Sequence, residues 1–325
     1  MVNIASLLNL PFLDADLRRV EEALRGSVAS SDPFLSEVAG HLIGAGGKRL
    51  RPALALAAAA AGGAPVTDDV VQGGVSVELV HLGSLYHDDV MDEATTRRGV
   101  ESVNARWGNL VAILAGDFLL ARASEIAASL GTEVAALLAA TIGRLCEGQV
   151  GELKTAYSTD RTEADYLTSI EGKTASLVGA SCRIGALSAH VERPTVDALT
   201  RFGDALGMVF QVRDDILDVV GTEAELGKPA GNDLVEGVYT LPVIRALADP
   251  SAGEELRGLL GRPLQGPERD KARDIVRATT GVEEAMVVAR RYADDAAAAL
   301  DGIDGPVARS MAGLAHSLLA DLSGA

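Results

Sequence analysis

Two acidic clusters at one spacing constrain this chain more than any other feature. Asp88, Asp89 and Asp92 form a D-D-x-x-D pattern, and Asp214, Asp215 and Asp218 repeat it. Both sit among apolar residues, Leu85, Val90 and Met91 around the first and Phe210, Val212, Ile216, Leu217 and Val219 around the second. In a helix, positions i and i+4 share a face, so Asp88 and Asp92 project side by side. An unpaired buried carboxylate is expensive, and negative charge is disfavoured at a helix C-terminus. The clusters are therefore read as a site that gathers cations, not as a solvated face. Hard oxygen ligands suit Mg²⁺, which takes one or two carboxylates and completes its shell with water and substrate phosphates. Arg97 and Arg98 follow the first cluster and Lys228 the second; arginine meets phosphate as a planar, bidentate donor. Carboxylates, metal and arginines together read as a diphosphate site.

The wider pattern is helical. Alanine and leucine, strong helix formers, dominate the 325 residues, of which 48% are hydrophobic and only 3% aromatic. Apolar spacing predicts helices over 15–24, 34–43, 53–61, 70–92, 104–128 and 130–153, the second opened by Ser31, Asp32 and Pro33. Thr162 starts a further helix, a small-residue helix runs to Ala189, and Pro194 starts the one that delivers the second cluster. Residues 221–237 are glycine-rich and charged, long enough for a lid. No sustained β alternation, P-loop, dinucleotide fingerprint or nucleophile elbow is present. The expected fold class is all-α, one domain over 1–325, with a motif-bearing core at about 44–242 and C-terminal helices over 243–325. A net charge of −17 argues against nucleic acid and anionic membrane surfaces. No apolar run is long enough to span a bilayer, and the isolated Cys146 and Cys182 suit reduced thiols in the cytoplasm.

With a negative net field, phosphate must be met by local cations. The stretch GAGGKRLRP, Gly44 to Pro52, crowds Lys48, Arg49 and Arg51 among glycines ahead of an apolar helix, where backbone can approach an anion closely. His81 lies two helical turns before Asp88 and faces the same space. His87 is less aligned and reads as structural.

On these residues the chain resembles the trans-type isoprenyl diphosphate synthases, the polyprenyl synthetases. The resemblance runs from Gly44 to about Pro242. It rests on GGKRLRP, ELVHLGSLYHDDVMDEATTRRG, LAGD ending at Asp117, KTASL starting at Lys173, and FQVRDDILD with its GK and DL extension, in that order. It implies an isoprenoid-synthase-type helical bundle around a deep central cavity, usually a homodimer. The implied reaction is Mg²⁺-dependent, joining isopentenyl diphosphate head to tail to an allylic prenyl diphosphate. Asp88, Asp89, Asp92, Asp214, Asp215 and Asp218 would hold Mg²⁺ on the allylic diphosphate, which Arg97, Lys173 and Lys228 also bind. Lys48, Arg51, His81 and Arg98 would hold the diphosphate of isopentenyl diphosphate, with Thr174 and Gln211 lining the reacting centre. Gly83 and Ser84 are small where a bulky aromatic closes the cavity of short-chain members, so the resemblance implies a long product, C30 to C50.

Two positions depart from that pattern. Glu152 stands where many members carry glutamine, with Gln149 three residues earlier, and Val238 stands where many carry lysine, so one phosphate contact is missing. A short-chain synthase giving C15 to C20 products is the nearest alternative. A class I terpene cyclase shares the aspartate pattern but needs no second diphosphate pocket. A regulatory prenyltransferase subunit usually loses aspartates that are all kept here. A helical phosphohydrolase built on His87 and Asp88 would want histidines that His41, His81, His190 and His316 are not spaced to supply.

Overall fold

The computed structural model describes residues 8, 10, 12–222, 230–320 and 322. Helices α1 (Leu13–Ser27), α2 (Pro33–Gly44), α3 (Leu50–Ala61) and α4 (Asp68–Met91) lead to a two-residue hairpin, β1 (Thr96–Arg97) and β2 (Val100–Glu101). Then follow α5 (Val103–Trp107), α6 (Asn109–Ser129), α7 (Thr132–Lys154) and α8 (Glu163–Ile170). A π turn at Glu171–Ala175 joins α8 to α9 (Ser176–Ser188), and α10 (Arg193–Val220) carries the second cluster. The remainder is α11 (Asn232–Glu236), α12 (Leu241–Leu247), α13 (Gly253–Leu259), α14 (Gly266–Ala278), α15 (Gly281–Ala299) and α16 (Pro306–Ala320).

The helix starts follow local chemistry. Asp32 Oδ1 accepts the backbone N–H of Phe34 at 2.9 Å and caps α2, while Thr67 caps α4. Thr162 and Asp165 form a reciprocal capping box ahead of α8. Two departures from the expected helices have backbone causes. Gly108, at φ 88°, splits the predicted 104–128 helix into α5 and α6. The hairpin turns on Arg98 and Gly99, with φ 54° and 78°; a two-residue turn with positive φ at both positions matches the twist of paired strands.

Helix α4 packs against α3, α6 and α9, and α9 packs against α3, α4 and α10. These contacts need small residues: a Cβ on Gly185 of α9 would run into the Ala55 carbonyl of α3. Leu54, Leu79, Leu82, Tyr86, Phe202, Leu206 and Val209 are fully buried in the main core, each worth roughly 1.5–3 kcal/mol of burial. A smaller core of Val219, Leu234, Tyr239, Val243, Leu256 and Val276 lies toward α12–α14. From α14, Arg273 donates to the carbonyls of Val219 (2.5 Å) and Gly221, closing the end of α10 just past the second cluster.

Asp204 on α10 lies directly over Gly179 of α9. Burial pushes its carboxyl up to about 6 from an ordinary 3.8, with Arg144 opposing and Glu171 adding to the rise. The native state thus binds this proton more tightly than the unfolded chain. Protonated Asp204 is tolerated, and stability falls as pH rises from about 4 through 6. Asp204→Asn should therefore stabilise the protein at pH 8 by about 1–3 kcal/mol and lose that advantage near pH 3.5. Urea unfolding at the two pH values checks it; an equal effect at both would show that the charge is not the cause.

Candidate active site

The first cluster occupies the last turn of α4, with Asp92 as its C-cap. Asp89 is fully buried; its Oδ1 accepts from Nε of Arg97 at 2.6 Å and lies 2.5 Å from Nη2 in the same ion pair, while its Oδ2 is buried without a partner. Burial raises the Asp89 carboxyl against the pull of Arg97. It also pushes Asp88 up to about 6, with Lys173 opposing and Asp92 and Glu152 adding to the rise. The hairpin sends its two arginines to different places. Arg97 returns to Asp89, while Arg98 Nη1 donates to the carbonyls of Gly46 and, at 3.3 Å, Leu42.

A second, cationic group surrounds His81. Arg49, held at φ 47°, is buried and pairs with Glu21 and, at 2.9 Å, with Glu78. It is therefore structural. Glu78, only 2% exposed, supplies the negative charge that works against burial at Arg51 and Arg98. Burial, followed by Arg51, Arg98, Arg49 and Arg97, pushes His81 well below its ordinary 6.5, so the imidazole is neutral at pH 7. Arg51 Nε is buried without a partner. Lys48 is exposed on the preceding loop.

The second cluster is held differently. Asp215, 3% exposed, accepts from Tyr166 OH at 2.6 Å and Gln211 Nε2 at 2.8 Å, and Thr174 Oγ1 donates to Gln211 Oε1 at 2.8 Å. Burial outweighs these bonds and pushes the carboxyl up to about 7. Asp214 is exposed, with Arg213 Nη1 at 3.3 Å. Asp218 instead faces the chain beyond: its two oxygens accept the backbone N–H groups of Asn232 (3.3 Å) and Asp233 (3.2 Å). Its spacing suggests a metal ligand, and these two bonds also tie it to the start of α11. Lys228 lies outside the described residues.

Lys173 and Thr174 sit on the π turn, an irregularity common at functional sites. Gly172 makes it possible, because a Cβ there would meet the Arg144 carbonyl at 2.8 Å and Gly148 Cα at 3.0 Å. One turn beyond Gly148 on α7, Glu152 Oε1 accepts from Lys173 Nζ at 2.5 Å. The field of Glu152 reaches both Asp88 and Asp215, so this pair stands between the two clusters. Beside it is a cavity of about 110 Å³, lined by residues that include Glu152, Arg161, Tyr166, Lys173, Gln211 and Asp215.

The chain-length pair divides. Gly83 is buried against α6, where an added Cβ would meet the Gly116 carbonyl at 3.1 Å and Leu120 Cγ at 3.2 Å. Its small size is what lets two helices approach, so it does not by itself open a tunnel. Ser84 is half-buried, and its hydroxyl donates to the His81 carbonyl at 2.9 Å. Tyr166 and Arg161 have no motif of their own and go unseen in the sequence, and Glu78, the first residue of the longest motif, is given no role there. The signal for Glu152 was present, as a polar residue inside an otherwise apolar helix.

Mg²⁺ fits this donor set. Among the described residues, no three carboxylate, imidazole or thiol groups converge on one point. The orphaned Asp89 Oδ2, and the carboxylates of Asp88 and Asp215 that burial presses toward their neutral forms, are groups a cation would relieve.

The family described as Polyprenyl synthetase matches residues 32–278. The chain is 42% identical over 306 residues to the heptaprenyl diphosphate synthase component 2 of Geobacillus stearothermophilus, covering 92% of this chain and 93% of that one. It is 40% identical over 285 residues to the nonaprenyl diphosphate synthase of Mycobacterium tuberculosis, covering 87% and 85%. A polyprenyl synthase from Caulobacter crescentus, solved with calcium and isoprenyl diphosphate, superposes with a TM-score of 0.89 at 33% identity and 97% coverage of both chains.

If the acidic half gathers metal and diphosphate together, Mg²⁺ with inorganic pyrophosphate should raise the thermal midpoint by several degrees. At 100 times the dissociation constant, binding contributes about 2.7 kcal/mol. Asp88→Ala should abolish the shift while leaving the unliganded midpoint near the parent's. An undiminished shift in the variant would remove Asp88 from the site.

Proposed function

This chain belongs to the polyprenyl synthetase family, and we propose that it joins isopentenyl diphosphate to an allylic prenyl diphosphate where its acidic and cationic pockets meet. It is a trans-prenyltransferase of the long-chain polyprenyl diphosphate synthase class. The observation that carries the reading is the hairpin, which delivers Arg97 to Asp89 of the acidic cluster and the next residue, Arg98, to the Gly46 carbonyl in the cationic group. Consecutive residues thus serve the two proposed diphosphate pockets.

The residues divide by charge. Asp88, Asp89, Asp92, Asp214 and Asp215 would hold Mg²⁺, which supplies Lewis-acid stabilisation of the departing diphosphate; Asp218 supports them by anchoring α11. Arg97 and Lys173 place fixed positive charge on the same leaving group, as we propose for Lys228. Arg51, Arg98 and Lys48 hold the second diphosphate, and neutral His81 adds a hydrogen bond without further repulsion. The allylic C–O bond breaks with its electron pair leaving on diphosphate. The double bond of isopentenyl diphosphate then attacks the allylic cation, forming the new C–C bond. Lys173 is tied to Glu152, and Thr174 and Gln211 are engaged with each other. The proton lost in the last step therefore goes most simply to the released diphosphate.

We extend the proposal to assembly. Leu110, Ile113 and Leu114 of α6 and Val150 and Leu153 of α7 are all more than 40% exposed, and the two helices pack on each other. A contiguous apolar face of this kind marks an interface, and a second copy is its proposed occupant. The component 2 designation of one relative makes a different subunit the rival. Leu241 belongs to the main core and Val243 to the smaller one, which supports reading the chain as one domain. No helix among the described residues is long and apolar enough to cross a membrane; cytoplasmic residence is part of the proposal.

Arg51→Ala should raise KM for isopentenyl diphosphate roughly tenfold or more, the worth of a hydrogen bond to a charged group. KM for the allylic substrate should stay nearly constant, because a contact to the unreacting diphosphate is uniform binding. Equal effects on both constants would mean that the two pockets are misassigned.

Product length is the other test. The proposed C30 to C50 product requires the growing chain to pass Ser84, one turn above Asp88. Ser84→Phe should shift products below C30, read by chromatography of the dephosphorylated alcohols. An unchanged distribution would place the floor of the cavity elsewhere.

A further inference from the structure

The cavity beside Asp215 holds one cation to which the proposed reaction gives no task. Arg161 precedes the Thr162 cap of α8 and is only 5% exposed. Its Nη1 donates to the Tyr239 carbonyl at 3.0 Å, and its guanidinium lies over the Tyr166 ring, 5.6 Å from the centroid. Its other two nitrogens, Nε and Nη2, are buried without partners. These two form one edge of the guanidinium, the side-on fork that meets phosphate or carboxylate with two parallel N–H groups. Arg97 uses the same edge on Asp89.

Leaving both donors of a buried fork unpaired is costly, and none of the four acids on the cavity wall, Glu152, Asp215, Asp233 and Glu236, hydrogen-bonds to them. Glu152 is engaged by Lys173, and Asp215 by Tyr166 and Gln211. Val238, on the same cavity wall, brings no charge. The cavity also carries Lys173, the fixed cation already given to the allylic diphosphate. The missing partner of the fork is therefore an anion that arrives with the substrate.

We propose that Arg161 is a diphosphate-binding residue, its Nε and Nη2 taking oxygens of the allylic diphosphate that Lys173 holds from the other side. The assignment rests on the reading that the acidic half of the site receives the allylic substrate. Tyr166 and the Tyr239 carbonyl fix the plane of the guanidinium, so the fork is oriented before the ligand arrives.

Arg161→Met and Arg161→Lys separate this role from a structural one. Calorimetric titration with inorganic pyrophosphate in the presence of Mg²⁺ should show binding to Arg161→Met weakened roughly tenfold to hundredfold, the loss of charge-assisted hydrogen bonds. Arg161→Lys should recover part of it. KM for farnesyl diphosphate should rise with the same order, while KM for isopentenyl diphosphate stays put. Pyrophosphate binding by both variants at the parent's strength would overturn the assignment. So would a parallel rise of both KM values with a lowered melting midpoint in the Lys variant, which would make Arg161 a packing residue. A parent protein that binds pyrophosphate but elongates nothing would sink the proposed reaction instead, and the calorimetric comparison would still decide the role of Arg161.

Discussion

The site depends on how buried like charges are kept together. On the acidic side, Asp88, Asp89, Asp215 and Glu152 share a region from which water is largely excluded, and Lys173 reaches across from the π turn to stand among them. On the cationic side, four arginines crowd neutral His81, and the buried carboxylate of Glu78 stands against them. Each half is thus only partly compensated, by Lys173 and Arg97 among the acids and by Glu78 and Glu21 among the arginines. Burying charges so incompletely paired is destabilising. The helices around them must hold the arrangement through apolar packing that has nothing to do with the charges.

The fold meets that demand with close approach. Gly185 lies on the α3 backbone, Gly179 under Asp204, and Gly172 against Gly148. The last of these contacts also opens the helix into a π turn and points Lys173 at Glu152. The positive-φ turn at Arg98 and Gly99 performs a related task, since it takes two consecutive arginines and delivers one to each half. Local backbone irregularity at these two places sets the division of charge.

Much of this is legible in the sequence, for a physical reason. Carboxylates in apolar surroundings, and cations among glycines, contradict the simple hydrophobic pattern and so stand out; they led to Asp88, Asp89, Asp215, Arg51 and Arg98. What stays hidden obeys the pattern or depends on partners far away in the chain. Tyr166 reads as an ordinary apolar helix position, and its bond to Asp215 spans 49 residues. Arg161 reads as a loop cation, because nothing local shows that Tyr239 and Tyr166 enclose it. Spacing alone also leaves out distant partners. Asp218 repeats the position of Asp92, and the structure adds two backbone N–H groups of α11 as its partners. Gly83 is small for the sake of α6. Gly108 breaks a helix that periodicity runs straight through, since a positive φ leaves no trace in an apolar pattern.

The opposed halves also bear on how two substrates with the same head group are told apart. On the proposed reading both carry a diphosphate, and shape at that end cannot separate them. Charge can. A bare diphosphate is repelled by the half containing Asp88, Asp89, Asp215 and Glu152 and drawn to the arginines around His81. A diphosphate carrying Mg²⁺ has the reverse preference, because the metal relieves the carboxylates that burial presses toward protonation. On that reading metal loading would sort the substrates, with the group that must leave going to the half where its developing charge is best stabilised, and the partner that only has to be held going to the other. Neutral His81 matters for the same reason, since protonation there would add repulsion among guanidiniums that the nearby carboxylates only partly compensate. On the proposed reading, the incomplete neutralisation of the two groups is what would give each half its preference.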